Sequence, residues 1–200
     1  MVKTNNSPIS WDCAQITGFV PGVNNLSFNM KKILISTAGA LALILSVQAA
    51  DVTISKVHLC CKSCVTGAED AISKVPGVTA AVDKDAGTVT LTGADAATLQ
   101  KGADALVKAG YFGTSSNPSV KIKSHTGAKG AKVETLKVEG VHLCCGKCVT
   151  AADTALKSVD GVKSHTAVKG AKSFEVTGEF NDKDVFTALQ KSGLTGEVAK

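Results

Sequence analysis

VHLCCKSCVT at residues 57–66 returns almost unchanged as VHLCCGKCVT at residues 141–150. Six of the seven cysteines lie in these two copies, and the seventh is Cys13. In each copy the thiols follow an apolar, strand-like run and precede a helix-like run. Thiols spaced this closely indicate a soft-metal site or a reactive dithiol.

The doubling predicts two small domains within 200 residues. After the first cysteines, Val65, Ala68 and Ile72 recur at helical spacing until Pro76, and the second copy repeats this pattern. Each copy then continues with two alternating strand-like runs, a helix and a last strand. The predicted fold class is α+β: two tandem ferredoxin-like βαββαβ domains, each a four-stranded antiparallel sheet with two helices on one face.

The domain boundaries follow from the motifs and from a polar connector rich in Lys, Gly and Ser. We predict a first domain at 51–113, a connector at 114–132 and a second domain at 133–200. A last strand that extends to 123 is an alternative end for the first domain.

The segment before the first domain has the three parts of a secretory signal peptide: Met30-Lys31-Lys32, an apolar run and an Ala-rich exit. We place this signal peptide at 30–49 and expect a periplasmic or secreted protein. The apolar run is shorter than the ~20 residues of a membrane helix, so no stable span is expected in the mature chain. Residues 1–29 are polar and Asn-rich, and we expect them to be disordered or not translated.

The composition argues against two classes of function. The chain has no Arg and Tyr111 is its only tyrosine, so the contacts and stacking aromatics of nucleic-acid binders are missing. No Ser-His-Asp arrangement or Gly-rich phosphate loop is present, and we therefore predict that the protein is not an enzyme.

Each cysteine motif is expected at the start of a helix. Cys61 falls in the loop and Cys64 in the first helical turn, and Cys145 and Cys148 repeat this placement. The partial positive charge of a helix N-terminus favours thiolate over thiol. Such a pair suits a soft ion such as Cu(I), or Zn(II) if further ligands join.

The Cys-x-x-Cys after a first strand, the six-element order and the turn Ala109-Gly110-Tyr111 together resemble the heavy-metal-associated domain. The resemblance covers residues 51–123 and 133–200. It implies metal binding or transfer through Cys61 with Cys64 and through Cys145 with Cys148. It also implies a metal transporter or acceptor protein as a partner.

The motif departs from the family pattern at positions that offer additional ligands. His58 and His142 stand where the family has Gly, and Cys60 and Cys144 precede the first thiolate. These four side chains could convert a two-coordinate Cu(I) site into one for Zn(II), Cd(II) or Hg(II). It stays open whether the histidines only cover the end of the sheet and whether Cys60 and Cys144 are fillers or form a disulfide.

Three further residues are expected to flank the sites. Leu59 and Leu143 stand at the family's Met position, as buried anchors. Tyr111 matches the aromatic that overhangs the family's site, whereas the second copy has Leu194 there, which predicts that the two sites differ.

Two other functions stay open for the same cysteines. The pairs could cycle as disulfides in a thiol redox protein, although no proline stands where a thioredoxin-like fold would place its cis-Pro loop. A disulfide-stabilised interaction module without metal is the third interpretation. Three cysteines per domain cannot all pair internally, which argues against that module but leaves a bridge between the domains open.

Overall fold

The computed structural model describes residues 49–200. The upstream segment 1–29 and Cys13 lie outside the described residues, as does the signal peptide predicted at 30–49, except for Ala49. The described residues belong to one compact unit. Among them, no helix combines the length and the apolarity needed to cross a bilayer.

Residues 50–115 form what we call the first subdomain, and residues 132–198 form the second. The first contains β1 Ala50–Ser55, α1 Lys62–Ser73, β2 Val78–Asp83, β3 Thr88–Gly93, α2 Ala96–Lys108 and β4 Thr114–Ser115. The second contains β5 Lys132–Glu139, α3 Gly146–Lys157, β6 Val162–His165, β7 Ser173–Asn181, α4 Asp182–Lys191 and β8 Glu197–Val198.

Each subdomain has one four-stranded sheet. The strand orders are β2-β3-β1-β4 and β6-β7-β5-β8, and every neighbouring pair is antiparallel. Both orders are those of the ferredoxin-like arrangement. The α+β class is thus confirmed, with two four-stranded antiparallel sheets and four helices.

The core of the first subdomain follows from strand alternation and helical spacing. Val52 and Ile54 on β1 are buried, and so are Val89 and Leu91 on β3, because alternate side chains of a strand share one face. Helix α1 buries a stripe of Cys64, Ala68 and Ile72, which are four residues apart. Cys64 therefore belongs to the helix face that packs on the sheet.

The strand before each cysteine loop ends at a residue with positive φ. Lys56 has φ 61° after β1, and Gly140 has φ 79° after β5. In the sequence the apolar alternation slips between Ile54 and Val57, which predicts a bulge near Lys56. The structure has a left-handed turn there instead. This conformation costs a non-glycine residue roughly 1 kcal/mol, and it turns the chain towards the cysteines.

The last strand of the first subdomain lies inside the stretch that we predicted as connector. Thr114–Ser115 pairs with β1, whereas residues 119–123 form no strand. In that segment Val120 is buried, and the backbone N–H and carbonyl of Lys121 are bonded to the Gln100 side chain, each at 2.8 Å. The connector thus packs against α2 instead of extending the sheet.

The two subdomains meet at the turns that follow α2 and α4. Tyr111 and Leu194 form an antiparallel bridge. The Phe112 N–H donates to the Gly193 carbonyl at 3.1 Å, and the Thr195 N–H donates to the Gly110 carbonyl at 3.0 Å. These bonds hold the cysteine ends of the two subdomains against each other.

Candidate metal centre

The sulfurs of both cysteine loops come together in one cluster between the subdomains. Within each loop the sulfurs are close: Cys61 to Cys64 is 3.6 Å, and Cys145 to Cys148 is 3.7 Å. The cluster therefore contains the two Cys-x-x-Cys pairs that the sequence predicts as metal ligands.

Cys60 and Cys144 connect the two loops. The Cys60 sulfur lies 3.3 Å from that of Cys145 and 3.4 Å from that of Cys148. The Cys144 sulfur lies 3.6 Å from that of Cys61 and 3.4 Å from that of Cys64. The extra cysteine of each motif thus reaches into the opposite subdomain.

Two helix N-termini point at the cluster. Cys61 is the N-cap residue of α1 and Cys145 is that of α3, both with extended backbone. Cys64 and Cys148 follow in the first turns and are fully buried. Because first-turn N–H groups of both helices reach the sulfurs of Cys61 and Cys145, the location favours negative charge.

The cap thiols ionise most readily. The Cys64 N–H, which also donates to the Cys61 carbonyl at 3.0 Å, favours the thiolate and lowers the pKa of Cys61. The Cys148 N–H acts in the same way and lowers the pKa of Cys145 to about 6. Burial raises the pKa of Cys60, Cys144 and Cys148. The metal-free cluster therefore has its most readily ionised thiol, Cys145, at its partly exposed rim.

The two histidines of the motifs border the cluster. A ring nitrogen of His58 lies within 4.8 Å of the Cys60 and Cys148 sulfurs. His142 stacks on Tyr111. The Nε2 atoms of both rings are buried without a hydrogen-bond partner among the described residues, and burial lowers the pKa of both imidazoles. Both rings are hence neutral at pH 7, and each can bind a metal or donate to a thiolate.

The predicted flanking residues form an apolar wall. Leu59 and Leu143 are buried, and Tyr111 is completely enclosed, with its hydroxyl donating to the Cys64 carbonyl at 2.8 Å. Tyr111 therefore packs beneath the cluster rather than over it. Leu194 takes the equivalent place in the second subdomain and cannot donate such a bond.

The donor set fits a soft metal ion. The six sulfurs are free thiols, and neighbouring ones stand 3.3–3.7 Å apart. In a tetrahedral thiolate site with bonds of ~2.3 Å the sulfurs are ~3.8 Å apart, so only a small expansion is needed. Cys60, Cys61, Cys144 and Cys145 are partly exposed, and an open cleft of about 480 Å³ beside Cys144 gives access from solvent.

Gly110 and Gly193 are the residues that sequence reasoning did not assign to the site. Both have positive φ, of 90° and 75°. A Cβ on Gly110 would lie 2.4 Å from the Gly140 carbonyl oxygen, and one on Gly193 would lie 2.6 Å from the His58 nitrogen. Each glycine thus lets its turn approach the other subdomain. The sequence signals are that a glycine ends a helix in both copies and that Gly110 lies in the turn Ala109-Gly110-Tyr111, which carries part of the resemblance.

The chain was compared with known proteins. The solved structures that match it include a copper-binding domain from HMA7, a P-type ATPase, and the N-terminal soluble domains of Bacillus subtilis CopA. The first is 18% identical, with a TM-score of 0.31, and covers 34% of this chain and 96% of its own. The second is 16% identical, with a TM-score of 0.30, and covers 76% of this chain and 95% of its own.

Among curated proteins, none matches the chain. One family model does match, and its description is the heavy-metal-associated domain. The matched segment, residues 53–112, spans most of the first subdomain, including its three cysteines. Over this stretch, which supplies one half of the thiol cluster, the first subdomain is thus similar to the heavy-metal-associated domain.

Proposed function

We propose that the protein binds soft metal ions, Cu(I) before Zn(II), Cd(II) or Hg(II), and sequesters them or passes them to an acceptor protein. The observation that carries this proposal is the gathering of six free sulfurs between two helix N-termini. Thiolate-rich sites prefer soft ions. Binding without catalysis is all that this function requires.

The second subdomain is proposed to be a second copy of the domain matched in the first. Its strand order is the same, and its VHLCC motif also leads into a helix. We also propose that the protein is exported, as the signal peptide predicted at 30–49 indicates. A sulfur-rich site in an oxidising compartment would be protected by its bound metal from disulfide formation.

Transfer to an acceptor is proposed to begin at the rim of the cluster. Cys61 and Cys145 are partly exposed and have lowered pKa values. An incoming thiolate from an acceptor could therefore replace one of them while the inner sulfurs still hold the ion. This route fits a metal transporter or carrier with its own exposed cysteines.

The test is metal content after purification under reducing, anaerobic conditions. We expect Cu(I) to bind and to resist a competing chelator, and the Cys61→Ser/Cys145→Ser variant to lose at least tenfold in affinity. Ser63→Ala, a change in the first turn of α1 that removes no sulfur, is the matched control and should bind as the original chain does.

A chain that binds no Cu(I) although its thiols are reduced would overturn the proposal. In that case the short distance of 3.3 Å between the Cys60 and Cys145 sulfurs would favour the redox alternative. Reversible disulfide formation between those two residues, detected by peptide mapping, would then be the supporting result.

A further inference from the structure

The close pairs among the six sulfurs have the connectivity of an octahedron. Three pairs of sulfurs are not among the short distances and stand opposite each other in this pattern: Cys60 with Cys144, Cys61 with Cys148, and Cys64 with Cys145. All other pairs of sulfurs lie within 4.8 Å, and most of these are 3.3–3.7 Å apart. The triangular faces of this octahedron are three-sulfur sites.

Four of these faces can be filled at once without sharing an edge. Three are the groups Cys60–Cys61–Cys145, Cys61–Cys64–Cys144 and Cys144–Cys145–Cys148. The fourth is Cys60–Cys64–Cys148, with sides of 3.6, 3.4 and 3.7 Å. Any two of these faces have one sulfur in common, so every sulfur would bridge two metal ions.

We propose that the chain binds a four-ion Cu(I) cluster, with each ion held by three thiolates and each of the six cysteines bridging two ions. This inference rests on the proposed function, because it specifies how many ions the same site takes. Bonds of ~2.3 Å require sulfur triangles with sides of ~4.0 Å, so the cluster would expand by about half an ångström.

A site for one ion uses the sulfurs less well. No four of the sulfurs form a complete tetrahedral set, because any group of four contains one of the three opposite pairs. A single four-coordinate site would also leave two of the six sulfurs without an ion. A shared cluster instead uses all six, including Cys61 and Cys145 at the N-caps of α1 and α3.

The charge balance favours a monovalent ion. Six thiolates and four monovalent ions leave a net charge of about −2, which the N-termini of α1 and α3 would stabilise. Four divalent ions on the same sulfurs would leave about +2 facing the same two positive helix ends, which is unfavourable.

The experiment is an anaerobic titration of the reduced chain with Cu(I), followed by native mass spectrometry and X-ray absorption. Cys13 is replaced by Ser in every sample, so that only the six clustered cysteines bind. We expect saturation at four ions per monomer, with the four-ion species appearing while metal-free chain remains. Three sulfur neighbours and a short copper–copper distance are expected in the absorption data.

Saturation at any number of ions other than four would overturn the four-ion cluster. Saturation at one or two ions without a copper–copper distance would still support the proposed function. A complete lack of Cu(I) binding would overturn both. The Cys60→Ser/Cys144→Ser variant should bind at most two ions, whereas Ser63→Ala should bind four. If that variant does not fold, as judged by circular dichroism, the stoichiometry of the unaltered cluster still decides the question.

Discussion

The ring of Tyr111 in the first subdomain stacks on the imidazole of His142 in the second, with ring centroids 4.6 Å apart and planes inclined by 29°. The same tyrosine donates its hydroxyl to the Cys64 carbonyl at 2.8 Å. One buried side chain therefore connects the first cysteine helix to the residue that precedes the second cysteine loop.

Substitution of Tyr111 separates these two roles. Tyr111→Phe keeps the stacking and loses the hydrogen bond, which should cost about 1 kcal/mol in the free energy of unfolding. Tyr111→Leu also loses the stacking and leaves a cavity, for a further loss of about 2 kcal/mol. Urea unfolding of the metal-free, reduced chain measures both. A Tyr111→Leu chain as stable as the original would contradict the role of the stack, and Phe112→Leu is the control.

Gly110→Ala should weaken the contact between the subdomains. Its Cβ would meet the Gly140 oxygen at 2.4 Å and the His142 nitrogen at 2.6 Å. Gly170→Ala is the matched control, since Gly170 also has positive φ, 79°, but a Cβ there would meet nothing within 4 Å. Both variants carry a backbone cost of about 1–2 kcal/mol, and we expect Gly110→Ala alone to lose Cu(I) affinity as well.

The comparison is made by thermal unfolding and by competition with a Cu(I) chelator. Equal losses of stability and equal affinities in the two variants would show that the close approach at Gly110 does not hold the site together. Gly193→Ala provides a second measurement from the opposite subdomain, where its Cβ would lie 2.6 Å from the Lys56 oxygen.

Cys145 should be the cysteine that alkylating reagents modify at the lowest pH. Its pKa is lowered to about 6, whereas burial raises that of Cys148. The thiolate forms as the pH rises through the pKa, so the rate at Cys145 should increase between roughly pH 5 and 7 and then level off. Limiting iodoacetamide and peptide mapping give the rate at each thiol. Faster modification of Cys148 than of Cys145 at pH 7 would contradict this order.

Asp182 anchors the connector to α4 and makes stability depend on pH. Its carboxylate accepts N–H groups from Lys129, Gly130 and Ala131 at 2.7–3.0 Å. Burial opposes ionisation, but together these bonds outweigh it and lower the pKa of Asp182. Replacement by Asn should cost about 1–3 kcal/mol at pH 7.

The sign of the pH effect follows from the lowered pKa. The stabilisation is complete above the unfolded-state value of ~3.9 and is lost as the pH falls through the lower folded value. The stabilities of the original chain and of Asp182→Asn should therefore converge as the pH falls through the lowered pKa of Asp182. Denaturant unfolding at several pH values measures this, and a constant difference down to pH 2 would exclude Asp182 as the cause.

The sequence could predict the parts of the site that depend on local structure. The spacing of Val65, Ala68 and Ile72 predicts the helix that begins beside Cys61, and the structure places that helix at Lys62–Ser73. Because the two motifs are nearly identical, the sequence also predicts a helix that begins beside Cys145. Local periodicity and capping are enough for this, because both act within a few residues of the chain.

The contact between the motifs could not be predicted in the same way. It depends on Tyr111 bridging Leu194, a pair separated by most of the second subdomain. The sequence therefore does not decide whether Cys60 and Cys144 are fillers, disulfide partners or ligands, since the sulfurs nearest to them lie across that contact. The strand at Thr114–Ser115 was missed for a related reason: two residues are too few to show alternation.

The connector that Asp182 and Gln100 fasten to both subdomains has a consequence for dilute conditions. Because both halves of the thiol cluster are on one polypeptide, each half meets the other at an effective concentration in the millimolar range, whatever the amount of protein present. A site assembled from two separate chains would fall apart on dilution. In this chain the metal affinity of the site should therefore not depend on the protein concentration.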